Sequence, residues 1–371
     1  MSLLEEMNRK ATELGIPLSA HMDITWRCNE RCEHCYLDHD EPGEMTTDEI
    51  KDTIRQLAES GTFFLSISGG EPLMRRDCFE ILEYARALRF NVKLKTNAVM
   101  IGVKEAERLR KLGIEQVQIS VYSHRPEVHD AITKLPGSLR RTVEAIKRLK
   151  AQDIKVSLTN VMMHKNYSDA KGVRAMAQEL GVAVVIDPTI TPKLNGDRAI
   201  LDLGISAEQL KEVFHTEEYV GNVDEVCNPD TTVDDNVLEG YSCSAGHTLV
   251  YISPFGDVYP CVQFPMPCGN VRTQSFSSIW GGSPQLTDLR SVHLRDLPTC
   301  SHCSHTASCS RCPGLAYMEG NMRGPSTADC EKSFARTGIP SANMILKAEA
   351  GGSAGAPAAW QPKPNLVQIS L

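Results

Sequence analysis

The stretch "CNERCEHCY" (28–36) carries three cysteines at the spacing C-x3-C-x2-C. Cysteine thiolates are the usual ligands of iron–sulfur clusters, which normally take four of them, so this loop can hold three irons of a cluster and leave a fourth iron open. A zinc site completed by a remote histidine fits the spacing as well, and so do three unrelated thiols. The loop directly follows "HMDITW" (21–26), which is typical of a short strand.

Short apolar strands alternate with amphipathic helices from about residue 20 to residue 187. Six strand–helix units fit this stretch, and Thr46 with Glu49 forms a capping-box pattern at the start of one helix. Such alternation predicts parallel strands joined by helical crossovers, either as an open barrel or as a doubly wound sheet. In a parallel α/β barrel the functional groups gather at the carboxyl ends of the strands, which is where the cysteine loop lies.

A glycine-rich segment, "SGGEP" (68–72), ends the second predicted strand. Gly69 and Gly70 permit positive φ and a close approach of backbone amides to a ligand, and Glu71 adds an acceptor. An ordinary glycine-rich turn would explain the segment equally well if it stood alone. It lies, however, one strand–helix unit after the cysteine loop and on the same predicted rim.

Together, these two segments resemble the signature of the radical S-adenosylmethionine (SAM) superfamily, over about residues 20–190. The resemblance implies an α/β fold, a partial (β/α)6 TIM-like barrel, and a [4Fe–4S] cluster on Cys28, Cys32 and Cys35. It also implies that the amino and carboxylate groups of SAM chelate the unique iron. Reductive cleavage of SAM would then give a 5′-deoxyadenosyl radical that abstracts a hydrogen atom from the substrate.

The same resemblance implies a set of SAM-binding residues. Gly69, Gly70 and Glu71 match the segment that holds the SAM amino group, and His34 stands where the family places an aromatic residue near the adenine. Further contacts are expected at strand ends, where each residue could equally satisfy backbone groups, and Tyr122 and Asp187 are additional candidates of that kind. The expected SAM-binding residues are His34, Tyr36, Gly69, Gly70, Glu71, Thr96, Asn97, Ser120, Thr159 and Asn160.

A second group of cysteines begins at about residue 241, where the sequence turns to short strands and many turns. "LVYISPFGDVYPC" (249–261) predicts a hairpin. Cys300, Cys303, Cys309 and Cys312 follow the spacing C-x2-C-x5-C-x2-C, and Cys330 closes the set. Two C-x2-C pairs also suit the tetrahedral zinc of a zinc ribbon.

Because it follows a domain that resembles the radical SAM superfamily, this pattern resembles the SPASM domain of many radical SAM peptide-modifying enzymes. It departs from the family in its last internal gap, which holds only two residues ("CSRC") and is one residue shorter. The resemblance implies two auxiliary iron–sulfur clusters. Their implied ligands are Cys243, Cys261 and Cys312 for the first, with Cys268 as the expected fourth ligand and Cys227 as the alternative, and Cys300, Cys303, Cys309 and Cys330 for the second.

The chain therefore divides into five expected parts. They are an N-terminal segment (1–19), the radical SAM barrel (20–190), a connecting segment (191–240), the SPASM domain (241–345) and a flexible Ala/Gly/Pro-rich tail (346–371).

Composition excludes several function classes. The formal net charge of −8, with acids and bases interleaved, argues against nucleic-acid binding. No apolar run approaches the roughly 18 residues that span a bilayer, and the N-terminus lacks the apolar core of a signal peptide. A cytoplasmic location follows as the expectation, and thirteen cysteines in a reducing compartment favour metal binding over disulfides.

The expected reaction is hydrogen abstraction from a peptide or protein substrate, for post-translational oxidation or cross-linking. This expectation rests on family analogy. The alternatives are a small-molecule oxidase of a tetrapyrrole or quinone-cofactor pathway, a formylglycine-generating sulfatase-maturing enzyme, and a non-catalytic iron–sulfur protein. Expected partners are a separate leader-peptide recognition protein, because only about 27 residues precede Cys28, and a reductase, flavodoxin or ferredoxin as electron donor.

Overall fold

The computed structural model describes residues 2–37, 39, 43–229 and 232–349. One sheet contains all the strands of this part of the chain. The strands are β1 (Ser19–Thr25), β2 (Phe64–Gly69), β3 (Asn91–Thr96), β4 (Gln116–Ser120), β5 (Val156–Val161), β6 (Ala183–Asp187), β7 (Leu249–Ile252), β8 (Asp257–Tyr259) and β9 (Gly269–Asn270).

Helices connect the strands and fill the C-terminal half. They are α1 (Leu3–Leu14), α2 (Thr47–Glu59), α3 (Cys78–Ala87), α4 (Val103–Leu112), α5 (Pro126–Thr133), α6 (Ser138–Ala151), α7 (Ala170–Glu179), α8 (Ala207–Phe214), α9 (Glu217–Val220), α10 (Val223–Cys227), α11 (Asp235–Leu238), α12 (Phe276–Gly282), α13 (Pro284–Arg290), α14 (Pro313–Met318), α15 (Thr327–Thr337) and α16 (Ala342–Glu349). None of these helices is long and apolar enough to cross a membrane.

Local sequence signals explain where individual helices begin. The capping box predicted for α2 is confirmed: the Thr46 hydroxyl accepts from the Glu49 amide at 3.3 Å, and the Glu49 carboxylate accepts from the Thr46 amide at 2.7 Å. Several helices were not predicted, among them α1 and most helices of the C-terminal half, and one of them contacts the cysteine loop. Between β4 and α6 the short helix α5 begins at Pro126, and it carries the backbone against which the cysteine loop packs.

The strand order is β6-β5-β4-β3-β2-β1-β7-β8-β9, and β1 to β6 run parallel to one another. Within the described residues the two ends of this order do not pair, so the sheet stays open. From β1 to β6 the order also follows the chain without the reversal that a doubly wound sheet has. The partial barrel implied by the family resemblance is therefore confirmed, and the doubly wound alternative is wrong.

Strand residues alternate between an apolar outer face and a polar inner face. The outer residues pack against the helices and are fully buried, among them Met22, Ile24, Ile67, Leu94 and Ile119. The residues between them point into the barrel, which is therefore lined by polar groups such as His21, Asp23, Lys95, Gln118 and Ser120. This period of two places chemistry inside the barrel and the hydrophobic core outside it.

The predicted hairpin is present and reaches further than expected. Tyr251 on β7 pairs with Tyr259 on β8 in antiparallel register. The unexpected feature is that β7 also pairs with β1, in parallel, from Ser19 opposite Leu249 to Met22 opposite Ile252. The cysteine-rich part of the chain thus extends the sheet of the barrel.

The expected start of the barrel lies at the first strand, whereas the expected start of the tail does not lie at the end of an element. Residues 3–14 of the N-terminal segment form α1, and β1 begins at Ser19. In the connecting segment, the stretch "SAEQLKEVFHT" (206–216) predicts a helix, and the structure has α8 there. The tail boundary expected at residue 346 falls inside α16, which continues to Glu349, and residues 350–371 lie outside the described residues.

Candidate active site

A cavity of about 280 Å³ opens at the carboxyl ends of the parallel strands. Most of the residues expected to bind the cluster or SAM line it, although they come from four separate segments of the chain. Those residues are Cys28, Cys32, His34, Cys35, Tyr36, Gly69, Gly70, Thr96, Asn97 and Ser120, and the additional candidates Tyr122 and Asp187 join them. Glu71, Thr159 and Asn160 are not part of this lining in the described residues.

The loop that carries the three cysteines is anchored on the C-terminal end of α5. The amide of Arg31 donates to the Thr133 carbonyl at 2.9 Å, and the amide of Glu33 donates to the Ile132 carbonyl at 3.1 Å. The Glu33 carboxylate also pairs with the ammonium groups of Lys134 and Lys165. These contacts fix the middle of the loop and turn its thiols toward the cavity.

The three thiols fit the ligand set of an iron–sulfur cluster. Burial is the main cause that raises the pKa of each, to about 12 for Cys28 and well above the ordinary value for Cys32. A bound metal must displace these protons, because iron binds the thiolate form. Three thiols around one cavity are therefore the donor set that such a cluster would need.

The two glycines of "SGGEP" bring the second strand end into direct contact with the cysteine loop. A Cβ atom on Gly69, whose φ is +138°, would lie 2.0 Å from the Thr25 carbonyl oxygen. A Cβ atom on Gly70 would lie 2.4 Å from the Trp26 carbonyl oxygen. Only glycine allows this approach.

The amides of this segment are used within the protein, which differs from the sequence expectation. The Gly70 amide donates to the Thr25 carbonyl at 2.8 Å, and the Glu71 amide donates to the Arg27 carbonyl at 2.9 Å. A bound amino group is itself a donor, so carbonyl oxygens of the segment are the groups that can hold it. The glycines thus dock two loops together, while Ser68, Gly69 and Gly70 also line the cavity.

Glu71 is fully buried and holds the third strand end. Its carboxylate accepts hydrogen bonds from the Thr96 hydroxyl at 2.8 and 2.9 Å, the Asn97 amide at 2.8 Å and the Leu73 amide at 3.0 Å. Burial is the largest influence on Glu71 and raises its pKa, while these donors oppose the shift. The structure therefore places Glu71 as a buried brace between two strand ends rather than on the cavity surface.

Asn97 links the same unit to the cysteine loop. Its side-chain amide donates to the Asn29 carbonyl oxygen at 2.7 Å and lies 3.8 Å from the Cys28 sulfur. Its side-chain oxygen accepts from the Val99 amide at 3.0 Å. Asn97 thereby fixes the orientation of the first cysteine.

The residues expected on β5 lie away from the cavity. Thr159 faces the barrel interior but lies deeper than Val161, which does line the cavity, and its hydroxyl accepts from Gln118 at 2.7 Å. Asn160 faces the opposite side of the strand, is fully buried, and donates to the Val121 carbonyl at 2.7 Å.

Aromatic rings form one wall of the cavity. The His34 ring lies edge-on to Tyr122, with 4.6 Å between centroids, and Tyr122 stacks on His129 at 5.5 Å. Burial lowers the pKa of His34 to about 4, so its imidazole is neutral at pH 7. This uncharged aromatic wall suits a planar heteroaromatic ring such as adenine.

Sequence reasoning missed the inner wall, where His21 and Lys95 line the same cavity. A signal was present, because "AHMDI" (20–24) and "NVKLKT" (91–96) alternate polar and apolar residues with a period of two. In this barrel the polar side of each strand faces the interior, which places His21 and Lys95 in the cavity.

The cysteines of the second auxiliary set surround one small cavity of about 30 Å³. Burial and then the charges of neighbouring groups, including Cys330, Cys309 and Cys303, raise the pKa of Cys300 to about 11. The four thiols expected for this cluster, Cys300, Cys303, Cys309 and Cys330, are thus brought together from segments on both sides of α14.

The first auxiliary set is only partly assembled. Burial raises the pKa of Cys243 to about 11, and the charges of Cys312 and Cys261 act in the same direction, so these three thiols are neighbours. After burial, the groups that act on the thiol of Cys268 are Ser283 and Arg290. Cys227 lies beside His215, at 3.7 Å from its Nδ1 atom. Neither fourth-ligand candidate is grouped with the three in the described part of the chain.

Three known proteins are similar to this chain over most of its length. The mycofactocin maturase MftC of Mycobacterium ulcerans is 30% identical over 338 residues, which cover 86% of this chain and 89% of the relative. The AdoMet-dependent heme synthase of Methanosarcina barkeri is 27% identical over 318 residues, covering 80% and 90%. The crystal structure of Streptococcus suis SuiB bound to precursor peptide SuiA has a TM-score of 0.70 at 17% identity, covering 88% of this chain and 78% of that chain, and it shows a shared fold.

Family matches agree with these likenesses and with the two groups of thiols. Residues 22–178 match the radical SAM superfamily, and residues 243–313 match SPASM, the iron–sulfur cluster-binding domain. The cofactors of such a chain are a [4Fe–4S] cluster with SAM in the barrel and iron–sulfur in the SPASM domain. The chain is an enzyme of the radical SAM superfamily with a C-terminal SPASM domain.

Proposed function

We propose that the enzyme abstracts a hydrogen atom from a residue of a ribosomally made peptide or protein and thereby modifies it by oxidation or cross-linking. When bound, SAM and the cluster supply a 5′-deoxyadenosyl radical, which is chemistry that no side chain can provide. The chain's own residues bind these groups, exclude water and place one hydrogen atom of the substrate within reach.

The assignment of roles follows the cavity lining. Cys28, Cys32 and Cys35 would hold the cluster. The carbonyls of Gly69 and Gly70 would accept from the amino group of SAM. Glu71 would belong to the SAM-binding segment, as the resemblance implied. It would act by holding Thr96 and Asn97 in position.

The far side of the cavity completes the proposed SAM site. His34 and Tyr122 would form the wall for the adenine, with Ser120 beside them and Tyr36 on the inner side. The β5 residues Thr159 and Asn160, which are not part of the cavity lining, would hold the strand end in place.

A second cavity carries the peptide part of the proposal. It has a volume of about 270 Å³ and lies between residues 188–210 and the helices α14 and α15 of the SPASM region. Thr189 and Ile190 line both cavities, so the second one adjoins the active-site cavity. An extended chain can occupy the two in succession, whereas a compact small molecule needs only the first.

The second cavity also carries charges that suit a peptide. Arg198 and Lys332 line it together with Glu319 and Glu331. Glu331 is partly buried, and burial followed by the charge of Glu319 raises its pKa. Peptide side chains of either sign find an opposite charge along this wall.

The SPASM thiols would supply the electron acceptor that net oxidation needs. We propose one cluster on Cys300, Cys303, Cys309 and Cys330, and another on Cys243, Cys261 and Cys312. Cys268 is proposed as its fourth ligand, with Cys227 as the alternative, although the structure groups neither with the three. The thiols of this many cysteines need a reducing compartment, which supports a cytoplasmic enzyme that takes electrons from a reductase, flavodoxin or ferredoxin.

The test uses anaerobically reconstituted enzyme with SAM and dithionite. A peptide encoded by a short reading frame beside the gene is added, with and without a leader-recognition protein. We expect 5′-deoxyadenosine to form and the peptide to change mass by loss of hydrogen. Absence of 5′-deoxyadenosine with fully loaded clusters would contradict the enzymatic role.

A tetrapyrrole substrate is the second candidate, because the likeness to the AdoMet-dependent heme synthase is nearly as extensive. The same assay separates the two when an iron porphyrin carrying carboxylate side chains replaces the peptide. A sulfatase-derived peptide tests the formylglycine reaction. Conversion of either in place of the encoded peptide would overturn the peptide proposal.

A further inference from the structure

The ammonium group of Lys95 lies inside the barrel and has no role in the proposals above. Lys95 is the residue before Thr96 on β3, and its side chain lines the active-site cavity beside His21 of β1. The strand period explains this position, because the residue between Lys95 and Lys93 is Leu94, which is fully buried on the outer face. Lys95 therefore presents a positive charge to whatever the cavity holds.

The described residues give this ammonium group no carboxylate at ion-pair distance. Its hydrogen bond to His21 Nδ1 is long, at 3.5 Å. The carboxylate of Asp23, two strands away, is engaged elsewhere. One of its oxygens accepts from the Tyr251 hydroxyl at 2.9 Å and from the Trp26 indole at 3.3 Å, and the other lies 3.2 Å from His21 Nε2.

A partly buried ammonium without a counter-charge is unfavourable. Burial is the main cause that lowers the pKa of Lys95, and the charge of Asp23 only partly opposes it. A lysine ammonium has three donor hydrogens, and His21 can accept one of them. An anionic ligand would supply the missing counter-charge and would also accept hydrogen bonds from the remaining donors.

Lys95 also lies toward the SPASM side of the cavity. Burial raises the pKa of Cys261, and the charge of Lys95 opposes that shift, which shows that the two groups are close. Val262, the next residue, lines the cavity with Lys95. A molecule that contacts Lys95 therefore lies between the three-cysteine loop and the first auxiliary set of thiols.

We propose that Lys95 is a carboxylate-binding residue, whose ammonium group donates to the carboxylate of a molecule bound in this cavity. The proposal rests on the proposed function only for the identity of the molecules that enter. Two molecules can bring a carboxylate there: SAM, through its methionyl group, and the substrate, through an acidic side chain or a C-terminus. Both present the same chemistry to Lys95.

The first experiment measures SAM binding to cluster-loaded enzyme by equilibrium dialysis with radiolabelled SAM. Lys95→Met removes the charge and keeps an unbranched side chain that is one atom shorter, and Lys95→Arg keeps the charge. Lys93→Met is the matched control, since it lies on the same face of the same strand but outside the cavity lining. If SAM supplies the carboxylate, Lys95→Met raises the Kd for SAM about 10- to 100-fold, while Lys93→Met leaves it unchanged.

The second experiment probes the space left after SAM is bound. SAM-saturated enzyme in a low-chloride buffer is titrated with ¹³C-labelled propionate, followed by line broadening, and with propionamide as the uncharged control. If the substrate supplies the carboxylate, propionate binds the wild type and the arginine variant, Lys95→Met loses at least about 10-fold in affinity, and SAM affinity stays the same.

The outcomes separate clearly because neither measurement needs turnover. Lys95→Met enzyme that binds both SAM and propionate within about twofold of wild type would overturn the proposal. Iron content and thermal melting are recorded for every variant, and Lys95→Gln serves as a second neutral variant if the methionine variant loads iron poorly. A failed peptide assay would leave these binding constants, and the proposal, untouched.

Discussion

At the scale of single residues, the two glycines of the second strand end show what a motif does physically. The sequence predicted amides that approach a ligand, whereas the structure shows amides that bind the neighbouring loop. The sequence correctly indicated that glycine is needed at both positions, but it gave an incomplete reason for this. A close contact between loops 45 residues apart is not visible in local sequence. Gly70 is the more informative position, since its φ is unremarkable and only the approach of Trp26 and Arg27 requires it.

Gly70→Ala tests whether the close approach of Trp26 and Arg27 requires glycine at this position. The new methyl group would meet backbone oxygen atoms at 2.4 and 2.6 Å, which cannot move aside as a flexible side chain would. We expect the free energy of unfolding to fall by about 1–3 kcal/mol and iron in the three-cysteine site to fall with it. Thermal melting and iron analysis after reconstitution measure both.

Gly281→Ala is the control for that variant. Gly281 lies in α12, and a Cβ atom there has nothing within 4 Å. We expect stability to stay equal or to rise by about 0.5–1 kcal/mol, as for alanine in a helix. Gly70→Ala enzyme with wild-type melting and iron content would disprove the close-contact explanation.

At the scale of elements, the sequence predicted the six parallel strands well, because each is a short apolar run between a turn and an amphipathic helix. It missed α5, whose eight residues "PEVHDAIT" carry too weak a helical pattern. It also missed the pairing of β7 with β1, which depends on tertiary proximity. A side-chain hydrogen bond also joins these two strands, since the Tyr251 hydroxyl on β7 donates to the Asp23 carboxylate on β1.

Tyr251→Phe isolates this contribution. The substitution keeps the ring and removes one donor from a carboxylate that is fully buried. We expect the free energy of unfolding to fall by about 1–2 kcal/mol, because a buried acceptor loses a partner. Anaerobic thermal melting of the cluster-loaded enzyme gives the measurement.

Tyr84→Phe serves as the comparison for Tyr251→Phe. The ring of Tyr84 lies under the Lys51 ammonium, at 5.7 Å from centroid to nitrogen, and phenylalanine retains that contact. A change within about 0.5 kcal/mol is expected for this surface substitution. If both variants melt alike, the bond between β7 and β1 contributes nothing measurable.

At the scale of the whole molecule, the chain holds thirteen cysteines, and the family resemblance implies how they divide among three clusters. Ten of them belong to the two motifs, and the structure groups Cys28 with Cys32 and Cys35, and Cys300 with Cys303, Cys309 and Cys330. The fourth ligand of the first auxiliary cluster could not be predicted. Spacing alone says nothing about which loop returns to Cys243, and the structure leaves Cys268 beside Met266, whose carbonyl its thiol contacts at 3.3 Å.

Iron analysis of serine variants tests the grouping. Cys309→Ser and Cys330→Ser are each expected to lower the iron content by about four atoms per chain, and the double variant is expected to lose no more than either single variant. Cys78→Ala, a buried thiol on α3, should leave iron unchanged. Additive losses in the double variant would show that the two thiols serve different clusters.

The same series decides between the two candidates for the fourth ligand. Cys268→Ser or Cys227→Ser should alter the spectrum of the first auxiliary cluster if that thiol ligates it. Mössbauer spectra of ⁵⁷Fe-reconstituted enzyme report each iron site separately. Unchanged spectra in both variants would leave that cluster with a ligand from outside the cysteines.

The pairing of β7 with β1 also governs how the chain is made. Asp23 and Tyr251 are 228 residues apart, so a ribosome adding about 5–20 residues per second delivers the second strand roughly 10–45 s after the first. During that interval the nascent barrel has β2 on one side of β1 and an unpaired backbone edge on the other. Such edges recruit other chains. Expression at a low growth temperature, together with a chaperone that binds unfolded chains, should therefore raise the yield of native enzyme. Chains truncated before residue 249 should aggregate.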